Sequence, residues 1–268
     1  MTLDTVVPHL ALLYLGAKFA GIDPIQTERD WRHCIGLVEP KLIFVDEEQV
    51  DRLKNCLGAL KVKPKLIVLG HSDYYQTFED LVLPSPEEDS FRPKVIENCR
   101  DTALILFSSG TTGPPKPMTI SHFSLVNGPQ RILERYGTEF FKVELLFSTF
   151  YWITSIMILI RCFFTGGCRV LFPEFHPEKT LMAIEKYKIS SCLISPAIAQ
   201  HLLKVENAQQ YDLSSVKFYI SGGTSIFPEH ISRLRKLFQD GIVLNIYGST
   251  EAGGCITGYD LKKDLDYA

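Results

Sequence analysis

Short apolar runs alternate with stretches of helical spacing along the chain. The runs at 41–45, 65–69 and 103–107 are rich in Ile, Leu, Val and Phe, so they predict strands. Apolar residues three or four positions apart predict helices over 9–21, with Gly21 as the stop, and over 47–60. Thr27 and Asp30 predict a capped helix start. The alternation predicts an α/β fold, with parallel or mixed sheets and helices on both faces.

The same alternation continues after residue 107. Further strands are predicted at 118–120, 145–149, 169–172, 191–194, 216–220 and 242–246. Helices are predicted to begin near Ser121, Trp152, Pro177, Pro196 and Pro228. The segment 72–95 is polar and contains prolines, so we expect it to run over the surface.

Composition narrows the classes of protein. The 268 residues are 46% hydrophobic and 22% charged, which is typical of a globular protein. A net charge of −3 gives no basic surface for nucleic acid. Seven scattered cysteines favour reduced thiols inside the cell, and Asp4 argues against a secretory signal. The apolar run at 145–160 is followed by Arg161, so we expect a core helix and no membrane span.

A glycine- and hydroxyl-rich segment follows the predicted strand at 103–107. Its residues are Ser108, Ser109, Gly110, Thr111, Thr112, Gly113, Pro114, Pro115 and Lys116. Bare backbone amides and hydroxyls can hold phosphate oxygens, and a lysine adds a point charge. Such composition is also typical of a flexible turn. The glycine spacing differs from that of a Walker loop, which disfavours a P-loop ATPase.

Two more chemistry-bearing segments follow predicted strands. Gly222 and Gly223 would leave bare backbone on which a flat base could rest, although a tight turn has the same composition. Tyr247 offers a ring for stacking, Thr250 a hydroxyl and Glu251 a carboxylate suited to Mg²⁺, although this segment alone is also compatible with a surface turn. Three such segments in this order favour a nucleotide site.

The motif Ser-Ser-Gly-Thr-Thr-Gly-x-Pro-Lys, followed by Gly-Gly and Tyr-Gly-x-Thr-Glu, resembles the adenylate-forming enzymes, which include acyl-CoA synthetases, 4-coumarate-CoA ligases and beetle luciferases. The resemblance implies the large N-terminal domain of such an enzyme. It divides the chain into a partial α/β subdomain over 1–100 and an ATP/AMP-binding subdomain over 101–268. The implied reaction activates a fatty or aromatic acid with ATP and Mg²⁺, and then transfers the acyl group to CoA.

The resemblance also implies roles for single residues. Lys116, Thr250 and Glu251 would be catalytic, with Glu251 the ligand of Mg²⁺. The nucleotide would be bound by Ser108, Ser109, Gly110, Thr111, Thr112, Gly113, Lys116, Gly222, Gly223, Asn245, Tyr247, Gly248 and Thr250.

The segment 150–155 occupies the place where luciferases carry a His-His-Gly-Phe motif over the acyl pocket. Trp152 and Ile153 replace the histidines, which disfavours luciferin oxidation, and with Ser155 they would line the acid pocket. The start of a core helix is the alternative interpretation for Ile153.

Departures from the family pattern leave a second hypothesis open. Pro117 replaces a usual glycine and removes an amide donor. The ribose-binding aspartate and the lysine-bearing C-terminal domain have no counterpart, so we expect this chain alone to be impaired or inactive. The alternative is a non-catalytic nucleotide- or acyl-binding remnant. By resemblance we expect residence in the peroxisome, or else in the cytoplasm, although the end Asp266-Tyr267-Ala268 is not a peroxisomal address.

Overall fold

The computed structural model describes residues 3–108, 113–172, 174–239 and 241–258. Its contacts divide the chain into two compact units, 2–122 and 123–268. This boundary differs from the subdomain division predicted after residue 100. The reason is strand pairing, because the strand that begins at Thr102 pairs with a strand near the N-terminus and therefore belongs to the first unit.

The first unit contains two small sheets. Its helices are α1 (Leu3–Tyr14), α2 (Glu28–Val38), α3 (Val50–Gly58) and α4 (Phe78–Leu81), with 3₁₀ turns at Glu47–Gln49 and Glu88–Ser90. Its strands are β1 (Phe19–Ala20), β2 (Leu42–Asp46), β3 (Lys65–Leu69), β4 (Gln76–Thr77), β5 (Thr102–Phe107) and β6 (Pro117–Ser121). β2, β3 and β4 are parallel, whereas β5 is parallel to β1 and antiparallel to β6.

The first helix ends earlier than the sequence predicts. Its stop is Gly16, with φ +62°, and the amide of Ala17 donates to the carbonyl of Leu12 over 2.8 Å, as in a glycine-terminated helix. Phe19, which the periodicity placed on the helix, lies in β1 opposite Leu104. Tertiary pairing therefore overrides the helical spacing here.

The start of α2 and the strands β2 and β3 lie where the sequence predicts them, to within one residue. The hydroxyl of Thr27 accepts from the amide of Asp30, whose carboxylate accepts from the amide of Thr27, so the predicted capping box is present. Side chains of α2 and α3 bury the β2–β3 face in one cluster that includes Trp31, Leu53 and Val68. The predicted surface segment over 72–95 also contains β4 and α4.

The second unit is built on one larger sheet. Its helices are α5 (His122–Tyr136), α6 (Ile153–Thr165), α7 (Pro177–Tyr187), α8 (Pro196–Leu202) and α9 (Pro228–Leu237), with a 3₁₀ turn at Ala208–Gln210. Its strands are β7 (Val143–Leu146), β8 (Cys168–Val170), β9 (Ser191–Leu193), β10 (Phe218–Gly222), β11 (Ile242–Ser249) and β12 (Gly254–Thr257). Their order is β12-β11-β10-β9-β7-β8, parallel except for β12.

Successive residues of β10 bury opposite faces of this sheet, as the pleat requires. Tyr219 joins the cluster that contains side chains of α7, α8 and α9, among them Leu181, Leu202 and Leu234. Phe218 and Ile220 join a different cluster with side chains of α5. Both faces are thus covered by helices, which confirms the predicted fold class.

Within the described ranges, every helix is too short or too polar to cross a lipid bilayer. The core helix predicted from the apolar run at 145–160 is α6, which buries Ile153, Ile156 and Ile158.

Candidate functional site

The predicted phosphate loop lies in sequence between β5 and β6, which pair antiparallel. The amide of Ser108 donates to the carbonyl of Lys116 over 3.0 Å, and the amide of Lys116 donates to the hydroxyl of Ser108 over 3.3 Å. His33 Nε2 lies 2.9 Å from the carbonyl oxygen of Pro115. The ends of the loop are therefore fixed to each other and to α2, while residues 109–112 lie outside the described residues.

Two residues at the end of this loop differ in what they offer a ligand. Lys116 is exposed, and its ammonium has no hydrogen-bond or ion-pair partner among the residues that the structure describes. Pro117 is the first residue of β6, an outer strand, and lies opposite Phe107. A strand start tolerates proline, but its missing amide leaves one donor fewer at the loop end.

Gly222 is the last residue of β10 and Gly223 follows it, and the two glycines serve different purposes. A Cβ on Gly222 would lie 3.0 Å from Ile246 Cγ1 and 3.1 Å from the Ile246 carbonyl oxygen, so glycine at this position eases the close approach of β11. Gly223 has φ +95°, and a Cβ there would meet no atom within 4 Å. The backbone at Gly223 is consequently open to a flat ligand.

Polar atoms without partners lie on the adjoining strands. Ser221 of β10 is opposite Asn245 of β11, and two residues further along β11 is Tyr247, whose side chain is 64% exposed. Asn245 Oδ1 and Ser221 Oγ are both buried and make no hydrogen bond within the described residues. Buried polar atoms are nearly always paired in native proteins, so this edge has capacity for a polar, flat ligand.

The strand that carries Tyr247 is longer than predicted. The sequence ended it at residue 246, whereas β11 continues to Ser249 because β12 pairs with it from the other side, antiparallel, with Tyr247 opposite Thr257. A Cβ on Gly248 would lie 2.5 Å from the carbonyl oxygen of Gly254. Gly248 therefore permits this pairing, and its predicted contact with the nucleotide stays a prediction.

The turn between β11 and β12 presents the predicted metal ligand. The amide of Gly253 donates to the carbonyl of Thr250 over 3.0 Å, and Glu251 is exposed in this turn. The described residues contain no group of three His, Cys, Asp or Glu side chains that could hold an ion. A single exposed carboxylate fits Mg²⁺, which is commonly held by one or two carboxylates and the phosphates of its substrate.

The predicted acid-pocket segment lies between β7 and α6. Trp152 is 43% exposed, Ile153 is 7% exposed and Ser155 is fully buried. Arg169 of β8 donates from Nη1 to the hydroxyl of Ser155 over 2.9 Å and from Nη2 to the carbonyl of Ser148 over 3.1 Å. Burial lowers the pKa of Arg169 to about 10. The Ser155 hydroxyl is therefore occupied within the protein.

The sequence did not predict the contacts of Arg169. Its only signal was a charged residue at the start of an apolar strand candidate. The buried pair of Glu144 and Arg161 gave the same kind of signal, since each interrupts an apolar run. A charged residue in a buried apolar run needs a partner, so its presence in the sequence indicates a buried polar contact.

The predicted site residues are distributed over the two units. Ser108, Gly113 and Lys116 belong to the first unit, and all other described site residues belong to the second. Within the second unit the parallel strands β7, β9, β10 and β11 end at one edge, where ligands of such sheets bind. A site shared by Lys116 and Glu251 stays a prediction.

The chain matches the family model "AMP-binding enzyme" over residues 1–267 and so belongs to the AMP-binding enzyme family. It is 29% identical to 4-coumarate–CoA ligase-like 9 of Arabidopsis thaliana, over 94% of this chain and 44% of that protein. It is 26% identical to luciferin 4-monooxygenase of Photuris pensylvanica, over 95% of this chain and 48% of that protein.

Among solved structures, it is similar to the luciferase-like enzyme of the nonluminescent mealworm Zophobas morio, with TM-score 0.91 and 36% identity over 99% of this chain and 62% of that one. This similarity agrees with the α/β architecture of both units. The chain spans about half the length of the curated relatives that it matches.

Proposed function

We propose that this chain is the nucleotide-binding part of an enzyme that joins a carboxylic acid to CoA at the expense of ATP. The observation that carries this proposal is the buried, unpaired Oδ1 of Asn245 beside the exposed ring of Tyr247 and the open backbone of Gly223. An adenine ring can stack on tyrosine and donate its amino group to the amide oxygen. The CoA ligase among the relatives supports the same reaction class.

The first step would be attack of the acid carboxylate on the α-phosphorus of ATP. A bond forms from a carboxylate oxygen to that phosphorus, the bond to the bridging oxygen breaks, and pyrophosphate leaves. Lys116 would offset negative charge on the phosphates, and the Thr250 hydroxyl would donate to an α-phosphate oxygen. Mg²⁺, when bound, supplies further charge neutralisation, and Glu251 would hold it.

The second step would use CoA. Its sulfur attacks the carbonyl carbon of the acyl-adenylate, AMP leaves, and the thiol proton is lost. The acid's tail would lie against Trp152 and Ile153, whose apolar side chains favour a fatty or aromatic acid over a small polar one.

Calorimetric titration with AMP and IMP tests the nucleotide site without requiring turnover. IMP differs from AMP by a keto oxygen in place of the amino group, which leaves Asn245 Oδ1 facing an acceptor. We expect AMP to bind about tenfold more tightly, and Asn245→Ala to abolish that preference. Asn98→Ala, an exposed amide in the first unit, is the matched control. Equal binding of both nucleotides by the wild-type chain contradicts the adenine site.

Turnover is tested by pyrophosphate release with ATP, Mg²⁺ and a panel of fatty and aromatic acids. We expect acid-dependent release that Glu251→Gln reduces. A second candidate, a nucleotide-binding protein without turnover, is favoured by Pro117, which removes a donor at the end of the loop. AMP binding without pyrophosphate release from the chain or from its full-length form supports this second candidate, and Pro117→Gly then tests whether the loop end is responsible.

A further inference from the structure

Arg169 connects the two ends of the segment 148–155, which follows β7 and includes the first three residues of α6. Nη2 donates to the carbonyl oxygen of Ser148 at one end over 3.1 Å. Nη1 donates to the carbonyl oxygen and to the hydroxyl of Ser155 at the other end, over 3.2 Å and 2.9 Å. A guanidinium presents its donors in a rigid planar fork that fixes the geometry of several acceptors, whereas an ammonium is a compact charge on a flexible stem.

The surroundings of Arg169 make this connection difficult to replace. Ser155 is 0% exposed, and the ring of Phe150 lies with its centroid 5.8 Å from the Arg169 guanidinium carbon. A cation removed from water needs hydrogen-bond acceptors, and Ser148 and Ser155 supply three of them. The lowered pKa of Arg169 reflects the same burial. The segment is thus fixed at both of its ends.

The segment presents an indole ring at the ligand-binding edge of the sheet. The amide of Trp152 donates to the carbonyl of Thr149 over 3.0 Å, which forms a turn. The Trp152 ring meets the buried ring of Tyr151 edge-on at 5.3 Å and 86°, and it remains 43% exposed. Since β7 is parallel to β9 and β10, this turn follows the same strand ends as Gly223.

We infer that Arg169 is a positioning residue that holds Trp152 as a wall of the acid-binding site. Ser155 takes part by accepting hydrogen bonds from Arg169 and not by touching the acid. This inference rests on the proposed function for its ligand, an acid with an apolar tail. The contact network by which Arg169 fixes the Trp152 ring lies within the chain and can be tested without a ligand.

The chain contains only two tryptophans, so Trp31→Phe leaves Trp152 as the sole indole reporter. In that background we expect Arg169→Lys to lower the fluorescence anisotropy of Trp152 and to raise its quenching by acrylamide. The dissociation constants for a hydroxycinnamic acid and a medium-chain fatty acid should rise about tenfold, because a small displacement of a positioned group is costly. The dissociation constant for AMP should stay within about twofold.

Arg52 provides a matched control in the first unit. Its guanidinium also donates to two backbone carbonyls, those of Pro24 and Gln26, and lies over the ring of Trp31. In the wild-type background Arg52→Lys should leave acid binding unchanged. Ser155→Ala removes one acceptor only, and we expect a smaller change in the same direction. Ser155→Ala also tests the positioning role if Arg169→Lys does not fold.

The outcomes separate the inference from the proposed function. Unchanged Trp152 anisotropy and quenching in both Arg169→Lys and Ser155→Ala overturn the inference, as does equal weakening of acid and AMP binding. If the wild-type chain binds no acid but Trp152 responds to Arg169→Lys, the positioning role stands and the proposed acid ligand is wrong.

Discussion

Arg161 of α6 and Glu144 of β7 form an ion pair inside the second unit, with side chains only 4% and 1% exposed. Nε of Arg161 donates to Oε1 of Glu144 over 2.9 Å, and Nη2 donates to Oε2, which also accepts from the hydroxyl of Ser191. The guanidinium lies 4.1 Å from the ring centroid of Phe141. The pair links the helix that follows the Trp152 turn to β7, the strand that precedes that turn.

Removal of one partner of this pair should be severe. Arg161→Met leaves a carboxylate buried without its counter-charge, so we expect a loss of about 3–5 kcal/mol in the free energy of unfolding. Arg32→Met removes an exposed pair with Glu28 and should cost less than about 1 kcal/mol. Urea unfolding measures both. A double change of Glu144 and Arg161 to Leu and Met should recover most of the loss, and failure to recover would contradict this account.

Gly248 should tolerate no side chain. Its Cβ would overlap the carbonyl oxygen of Gly254, so Gly248→Ala must displace β12 and weaken its ladder with β11. We expect a loss of about 1–3 kcal/mol in stability, accompanied by weaker AMP binding.

Gly58→Ala is the opposite case to Gly248→Ala. Gly58 is the last residue of α3, and nothing lies within 4 Å of its Cβ position, so alanine should stabilise the chain by about 0.5–1 kcal/mol. Thermal unfolding of both variants would give shifts of opposite sign. An unchanged or higher unfolding temperature for Gly248→Ala would count against the close approach at Gly248, and a lower one for Gly58→Ala against the open space at Gly58.

Tyr247 should contribute to nucleotide affinity through its ring. Tyr247→Ala removes the stacking face and should weaken AMP binding about tenfold or more, whereas Tyr247→Phe should stay within about twofold. Tyr187, 50% exposed on α7, offers a control for loss of an exposed tyrosine in the same unit. An effect of Tyr187→Ala equal to that of Tyr247→Ala would remove the stacking role.

His9 should make the first unit less stable in acid. Its ring meets Phe19 edge-on at 4.4 Å, and burial lowers its pKa from 6.5 to about 4, against a hydrogen bond with the Thr5 carbonyl. The folded state therefore favours the neutral ring. Its stability contribution is complete above about pH 6.5 and is lost as the pH falls towards 4, by up to about 3 kcal/mol. Urea midpoints across this range should decline in the wild-type chain and less so in His9→Phe.

The cysteines should separate into reactive and protected groups. Cys99 and Cys168 are exposed and should react first with a thiol reagent at neutral pH. Cys255 is also exposed, but partial burial of its thiol raises its pKa and should slow it. Burial raises the pKa of Cys34 to about 11 and that of Cys162 to about 12, so these should react only after unfolding. Mass mapping of labelled peptides measures the order.

The sequence predicted the elements that are fully buried and those whose ends are marked by local signals. β3 lies where the sequence placed it, and the capping box of Thr27 and Asp30 marks the start of α2. Proline at the first helical turn predicted α7, α8 and α9. These signals depend on residues close in sequence.

The errors arose where distant segments decide the structure. β1 exists because Phe19 pairs opposite Leu104, and the end of β11 exists because Gly248 admits β12. In the candidate site, sequence motifs predicted Gly223 and Tyr247 at strand ends, but nothing local connects Arg169 with Ser148. Contacts between residues far apart in sequence become visible only in the folded structure.

β11 has different neighbours along its length, being bonded to β10 through Ile246 and to β12 from Tyr247 onwards. A nucleotide seated on Tyr247 would therefore stiffen two ladders of opposite polarity at once. Cys255, opposite Gly248 in the outer ladder, is a native attachment point for a spin label that would report this stiffening once the faster-reacting Cys99 and Cys168 are replaced by serine.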